Sequence, residues 1–151
     1  VRDELLGRAT DDVDLTLEGD PRDAARAVAR ATGGAAFRLS GAFGAWRVVG
    51  PEHSWHVDLV AMREGGIHAD LARRDFTINA IAVDAESGAL VDPFEGRKDI
   101  DRKAIRAVGK ALERFSEDGL RVLRAARFCA TLEFDLEPKP GAQVHLQSEV
   151  D

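Results

Sequence analysis

The sequence has a single cysteine, Cys129, among 151 residues. It can form no internal disulfide and cannot supply the clustered thiolates of a structural zinc site, so the fold has to stand on its core and a reducing cytoplasm is the natural compartment. Long hydrophobic runs are missing as well. Nothing approaches the roughly 18 apolar residues of a membrane span, and no basic stretch followed by an apolar one opens the chain. The patterns G-x-x-x-x-G-K-[ST], G-x-S-x-G and G-x-G-x-x-G do not occur, which removes support for P-loop, hydrolase-elbow and dinucleotide-binding readings. There is no internal repeat or low-complexity tract. His53, His56, His68 and His145 show no zinc-type spacing with the cysteine and read as structural or solvent-facing. What is present is globular in composition, with 44% hydrophobic residues. A chain of this length buries roughly 68–70% of its unfolded surface, enough for one large domain or a domain plus part of a second.

Charge is uneven along the chain. Acidic residues number 27 and basic residues 21, a net charge of −6. Residues 1–96 carry −7, residues 97–127 carry +5 and residues 128–151 carry −4. A basic stretch of this kind can face phosphates while the acidic part holds cations, so nucleotide or RNA partners stay open despite the acidic total. The alternative is a solvated helical face.

Asp12 to Glu18 alternates Val13, Leu15 and Leu17 with Asp12, Asp14 and Thr16, the period of a half-buried strand with one acidic face. Asp20 is a good N-cap, Pro21 suits a first helical position, and the alanine-rich run Arg22 to Thr32 ends at Gly33-Gly34. Strand-like runs follow at Ala35–Ser40, Ala45–Val49 and Trp55–Met62, divided by Gly41, Gly44 and Gly50-Pro51. They predict a small mixed sheet with Trp46 and Trp55 in its core. Residues 63–70 read as a loop, with Asp70 placed to cap a short helix. Ala80–Val83 and Ala89–Val91 flank a turn at Glu86-Ser87-Gly88. From Ala111, residues Leu112, Phe115, Leu120, Leu123 and Ala126 recur at helical spacing, with Gly119 loosening the run. After Phe134 the chain reads as a connector.

Chemistry concentrates in three places. Asp12 and Asp14 leave one strand face about 7 Å apart, either as an exposed polar strand face or, since two like charges so close call for a cation, as a metal site. Hard divalent ions such as magnesium take carboxylate oxygens and keep substrate phosphates as further ligands. Asp58 lies in a second alternating run from which a neighbouring strand could present a third carboxylate, and three such acids suit two-metal phosphoryl transfer, one serving as base or metal ligand. Arg73-Arg74-Asp75 sets two guanidinium forks and a carboxylate before an apolar stretch. The guanidiniums suit phosphate and the carboxylate a ribose hydroxyl, or the trio simply pins a helix end. Glu117, Asp118, Arg121, Arg124 and Arg127 align on one helical stripe, either as intrahelical ion pairs or as an acceptor and donor fork able to read a base edge.

V-R-D-E-L-L-G-R at Val1–Arg8, D-V-D-L at Asp12–Leu15, R-R-D-F-T-I-N-A-I-A at Arg73–Ala82, D-P-F-E-G at Asp92–Gly96 and E-D-G-L-R-V-L-R-A-A-R-F at Glu117–Phe128 form an ordered set. The set resembles the class II tRNA nucleotidyltransferase and bacterial poly(A) polymerase family over roughly residues 1–135. The resemblance implies an α+β fold: a DNA polymerase beta-like nucleotidyltransferase head, a mixed sheet with flanking helices over residues 1–108, and the start of a helical neck at 109–151. It implies Mg2+ at Asp12 and Asp14 with Asp58 as third acid. Arg2, Arg74 and Asp75 would contact the nucleotide, Asp118 and Arg121 would select cytosine or adenine, with Glu117 orienting them, and Arg124 and Arg127 would reach phosphate. The implied partners are CTP, ATP and the tRNA 3′ end, with no membrane. The implied activity is CMP or AMP addition, with poly(A) polymerase as the near alternative and a catalytically silent nucleotide- or RNA-binding module as one of another class. Family members usually carry Gly-Gly just before V-R-D, a longer connection between the positions of Asp58 and Arg73, and a body and tail that grip tRNA, so weak RNA binding is expected of this stretch alone.

Overall fold

The computed structural model describes residues 1–40, 44–110, 113, 116 and 118–137. Gly41, Ala111, Leu112, Phe115, Glu117 and the segment from Pro138, which includes His145, therefore lie outside the described residues. After a short helix α1 (Arg2–Leu5), the chain divides into two compact units, Asp3–Asp70 and a second made of Val1–Arg2 with the chain from Leu71 onward. No helix among the described residues is long and apolar enough to cross a membrane.

In Asp3–Asp70 the alternating runs become β1 (Asp12–Leu17), β2 (Ala35–Ser40), β3 (Ala45–Val49) and β4 (His56–Ala61). They form one mixed sheet in the order β1-β4-β3-β2. β1 and β4 run parallel, while β3 is antiparallel to both β4 and β2. The crossover helix α2 (Pro21–Thr32) starts where the sequence places it. Asp20 accepts a hydrogen bond from the Arg22 amide at 2.8 Å, Pro21 fills the first turn, and Gly33 ends the helix in the left-handed region. Ala25, Val48 and Leu59 are fully or almost fully buried and make the core of this unit, with Leu17, Val28, Trp46, Trp55 and Val57 packed against them. α2 packs on β2, β3 and β4. Val13 and Leu15 on the edge strand β1 stay exposed, so β1 is less buried than its period predicts. Gly50 is required by close approach, since a Cβ there would lie 2.3 Å from the Trp55 ring. The loop expected at 63–70 is a helix from Gly66 onward, α3 (Gly66–Leu71). Gly65 and Gly66 take positive φ and hide the start, and Asp70 lies inside the last turn instead of capping a new one.

The second unit is built from short pieces. A 3-10 turn (Thr77–Asn79) leads to the hairpin β5 (Ala82–Val83) and β6 (Leu90–Val91). Its turn is held by Asp84 Oδ1, which accepts from the Glu86 and Ser87 amides and the Ser87 hydroxyl. Helix α4 (Gly96–Asp101), strand β7 (Ala104–Ile105), helix α5 (Leu120–Leu132) and strand β8 (Asp135–Leu136) follow. β7 and β8 pair in parallel, so the chain after Phe134 begins as a strand where a connector was expected. Within D-P-F-E-G, Asp92 accepts from the Gly96 and Arg97 amides at 2.7 and 3.0 Å, capping α4. Gly96 itself has no room for a side chain, because a Cβ would meet the Thr77 carbonyl oxygen at 2.2 Å. α5 buries Ala125 and Phe128, while Leu120 and Leu123, whose spacing predicts the apolar face, are 64% and 68% exposed.

Asp99 ties these pieces together. It is fully buried and accepts from the Thr77 hydroxyl at 2.5 Å, from Arg106 Nε at 2.9 Å and from Arg102. Arg106 also donates to the Phe94 carbonyl at 2.6 Å. Burial pushes the Asp99 carboxyl up, but the hydrogen bonds from Thr77, Arg102 and Arg106 outweigh it and hold the group below the usual carboxylate range. Its contribution to stability is whole above the ordinary aspartate pKa of about 3.9 and disappears as pH falls through the lower folded value. Asp99→Asn is expected to lower the unfolding free energy at pH 7 by about 3 kcal/mol and to flatten its decline below pH ~4. Urea unfolding at a series of pH values measures both.

Candidate active site

In the sheet of Asp3–Asp70, Asp14 pairs with Asp58 across the parallel β1–β4 ladder, and Asp12 pairs with His56. Asp58 in turn pairs with Arg47 on β3. Directly paired residues share a sheet face, so Asp12, Asp14, His56, Asp58 and Arg47 all stand opposite the core. The structure thus brings the three predicted acids onto one surface and adds Arg47, which sequence reasoning passed over, and His56, which it read as structural or solvent-facing. Arg47 donates from Nε to Asp58 Oδ1 at 2.6 Å and from its second fork nitrogen to Oδ2 at 2.7 Å. His56 Nε2 lies 2.9 Å from Asp12 Oδ1. The Asp58 hydrogen bond, against a smaller effect of burial and aided by the charges of Asp58, Asp12 and Asp14, raises the Arg47 pKa above its ordinary value. All three carboxylates therefore act on a single guanidinium.

Among the described residues no three acidic, histidine or cysteine side chains already close into a metal cage. The donor set nonetheless fits a hard divalent cation: carboxylate oxygens on adjacent strands, part-exposed, with a guanidinium standing where positive charge is needed.

In the second unit, Asp75 is 9% exposed and engages three donors. Oδ1 accepts from the Phe76 amide at 2.8 Å and from Asn79 Nδ2 at 3.1 Å, and Oδ2 accepts from Arg124 Nε at 2.7 Å. Burial pushes this carboxyl up, but the bonds from Asn79 and Arg124, the charge of Arg124 and the Phe76 amide bring it below the usual range. Asn79 Oδ1 accepts from Arg2 at 2.7 Å. The guanidinium carbons of Arg2, Arg124 and Arg127 sit 5.0, 5.5 and 5.2 Å from the Phe128 ring centroid. That ring packs edge-on to Phe76 at 5.8 Å. Arg2, Asp75, Arg124 and Arg127 are thereby gathered around Phe128, and Asn79 and Phe128 join them unannounced. Arg74 is partly buried, its amide on the Leu71 carbonyl at 3.1 Å, and Arg73 is exposed. Asp118 caps α5 by accepting from the Leu120 amide at 2.9 Å, and Arg121 lies in the first turn. Glu117 lies outside the described residues.

The Asp12–Asp14–Asp58 register and the arginine cluster are accompanied by matching relatives. The family model described as poly A polymerase head domain matches residues 47–106. The CC-adding tRNA nucleotidyltransferase of Geobacter sulfurreducens is 42% identical over 136 residues, which are 90% of this chain and 31% of that protein. Over most of its length this chain is similar to the class II tRNA nucleotidyltransferase and poly(A) polymerase family. Its fold is the family's polymerase beta-like nucleotidyltransferase head. Among solved structures, a CCA-adding enzyme in complex with ATP superposes with a TM-score of 0.81 at 31% identity, over 90% of this chain and 34% of that one. A tRNA nucleotidyltransferase complexed with a primer tRNA and an incoming ATP analog gives 0.78 at 35% identity, over 90% and 41%. The chain spans about a third of the length of these relatives.

If Arg47 holds the acidic face together as a cation does, Arg47→Met is expected to cost about 2 kcal/mol at low ionic strength. Mg2+ or Mn2+ should then raise the melting temperature of the variant more than that of the wild type. Equal gains in the two proteins would reject this role.

Proposed function

We propose that this chain supplies the head, residues 1–108, and the start of the neck, residues 109–151, of an enzyme that adds CMP, AMP or both to the 3′ end of tRNA. The observation that carries the reading is the in-register pairing of Asp14 with Asp58, with Asp12 on the same face. Three carboxylates so arranged are what two-metal phosphoryl transfer asks of a protein. Asp12 and Asp14 would hold the ions, Mg2+ by their hard-oxygen chemistry, which supply Lewis acidity at the α-phosphate and charge for the departing pyrophosphate. Asp58, as a carboxylate, would be the base that takes the proton of the primer 3′ hydroxyl as that oxygen bonds to the α-phosphorus and the α–β phosphoanhydride breaks. Arg47 keeps Asp58 oriented through two hydrogen bonds.

Arg2, Arg124 and Arg127 offer guanidinium forks to the triphosphate, with Arg74 as a further contact. Asp75 already holds three donors, which leaves it about one of its four acceptor sites for a ribose hydroxyl. Its larger part is to fix Arg124 and, through Asn79, Arg2. Asp118 and Arg121 pair an acceptor with a donor fork and choose the base. The single cysteine fits a cytoplasmic setting.

The test is Mg2+-dependent incorporation of labelled CTP and ATP, separately and together, into tRNA lacking CCA and into a generic RNA primer. Preference for the tRNA is expected, equal use of the generic primer with ATP would indicate poly(A) polymerase, and metal-dependent nucleotide binding without turnover would indicate a binding module. Asp12→Ala should leave under about 1% of the activity with the fold intact, because even outer-shell partners of a metal site are worth 10–100-fold. Arg121→Ala should shift the CTP-to-ATP ratio about tenfold. A uniform loss with both nucleotides would argue against base reading.

A further inference from the structure

The acidic face of the four-stranded sheet runs on, past Asp58, into an open groove of about 420 Å3, within the range of small-ligand sites. Phe37, Arg47, Val49 and His53 line it, together with Gly34 and Gly50. Its position follows from register. Phe37 pairs with Arg47, Arg47 with Asp58 and Asp58 with Asp14, so one row crosses all four strands on a single face. At about 4.8 Å per strand, Phe37 stands ~10 Å from Asp58 and ~14 Å from Asp14.

The chemistry of the groove is that of flat groups. Phe37 is 45% exposed, an aromatic ring left open on a sheet face. The Arg47 guanidinium is held in a fixed plane by its two bonds to Asp58. His53 lines the groove from a strained turn, where it and Glu52 both have positive φ. An anion is a poor occupant, because Arg47 is committed to Asp58 and Asp12 and Asp14 stand on the same face. A neutral planar ring that can stack on Phe37 and on a guanidinium is a good one.

We infer that this groove seats an unpaired base of the RNA primer, stacked on Phe37, about three to four nucleotides upstream of the reacting 3′ end at ~3.4 Å per stacked nucleotide. The inference rests on the proposed transfer reaction and adds to it a primer-binding subsite. Phe37 binds RNA and takes no part in the chemistry.

The experiment measures binding of fluorescent single-stranded RNAs of two and six nucleotides, with Mg2+ and without nucleotide, to the wild-type chain, Phe37→Ala and Phe37→Tyr. Steady-state transfer on the same RNAs and size-exclusion chromatography with light scattering accompany it. Phe37→Ala should weaken binding of the six-nucleotide RNA about tenfold, within what stacking of one base supplies. It should leave the two-nucleotide RNA, the KM for nucleotide and kcat at saturating primer within about twofold, and Phe37→Tyr should restore wild-type affinity. Unchanged six-nucleotide binding, equal loss with both lengths, no wild-type RNA binding, or a change in oligomeric state caused by Phe37→Ala would each overturn the inference. Transfer that persists without a Phe37 effect removes this subsite alone. Phe37-dependent binding without any transfer removes the enzymatic reading alone.

Discussion

A protein that gathers carboxylates on one face must supply positive charge there, and the Asp3–Asp70 sheet does so through Arg47. The bidentate contact with Asp58 is short and planar, and Asp12 and Asp14 reinforce it from β1. The arrangement depends on strand order. With β4 between β1 and β3, Asp58 has Asp14 on one side and Arg47 on the other. A one-residue slip in either ladder would turn the acids toward α2 or the guanidinium away from them. α2 and the Val48–Leu59 core prevent that slip, because they bury the opposite face of the same strands. Packing on one side thus sets the electrostatics on the other.

The second unit solves the mirror problem. Three guanidiniums lie around Phe128, and mutual repulsion would spread them without a counter-charge and a surface to rest on. The ring supplies a negative π-face, and Asp75 supplies a carboxylate kept ionised by its own hydrogen bonds. Asp75 stays in place because the backbone around it is fixed. The Val108 amide donates to the Asp75 carbonyl at 3.0 Å and the Thr77 amide to the Arg106 carbonyl at 2.9 Å. The Thr77 side chain ends on buried Asp99, which also anchors Arg106. A surface-looking acid in D-P-F-E-G-R-K-D is therefore the distant support of the R-R-D-F-T-I-N segment.

Local pattern carried much of this. The alternation in D-V-D-L-T-L and H-V-D-L-V-A put the acids on strand faces, and Asp20-Pro21 with Gly33 bounded α2. Ordered motifs pointed to the family before any coordinate. What escaped was information that lies between segments. Arg47 reads as one charge in an apolar strand, and only the antiparallel register shows it facing Asp58. Asp99 carries no local sequence signal, yet it is fully buried and bonded to Thr77, 22 positions away, and more locally to Arg102 and Arg106. On α5 the period favoured Leu120 and Leu123 as the inner face, but Ala125 and Phe128 are inward. Helix periodicity fixes which residues share a face and leaves open which face has a neighbour.

The uneven charge of the sequence takes its meaning from these two clusters. On the sheet, three carboxylates are set against one permanent guanidinium. Around Phe128, three guanidiniums are set against one buried carboxylate. Arg47 is bonded twice to Asp58, and Asp75 is buried and holds three donors, so each orders its cluster without cancelling it. A cluster neutralised in full would be stable and inert, and one with no counter-charge would splay apart at low salt. Partial compensation leaves one cluster net negative and the other net positive, and each stays ordered.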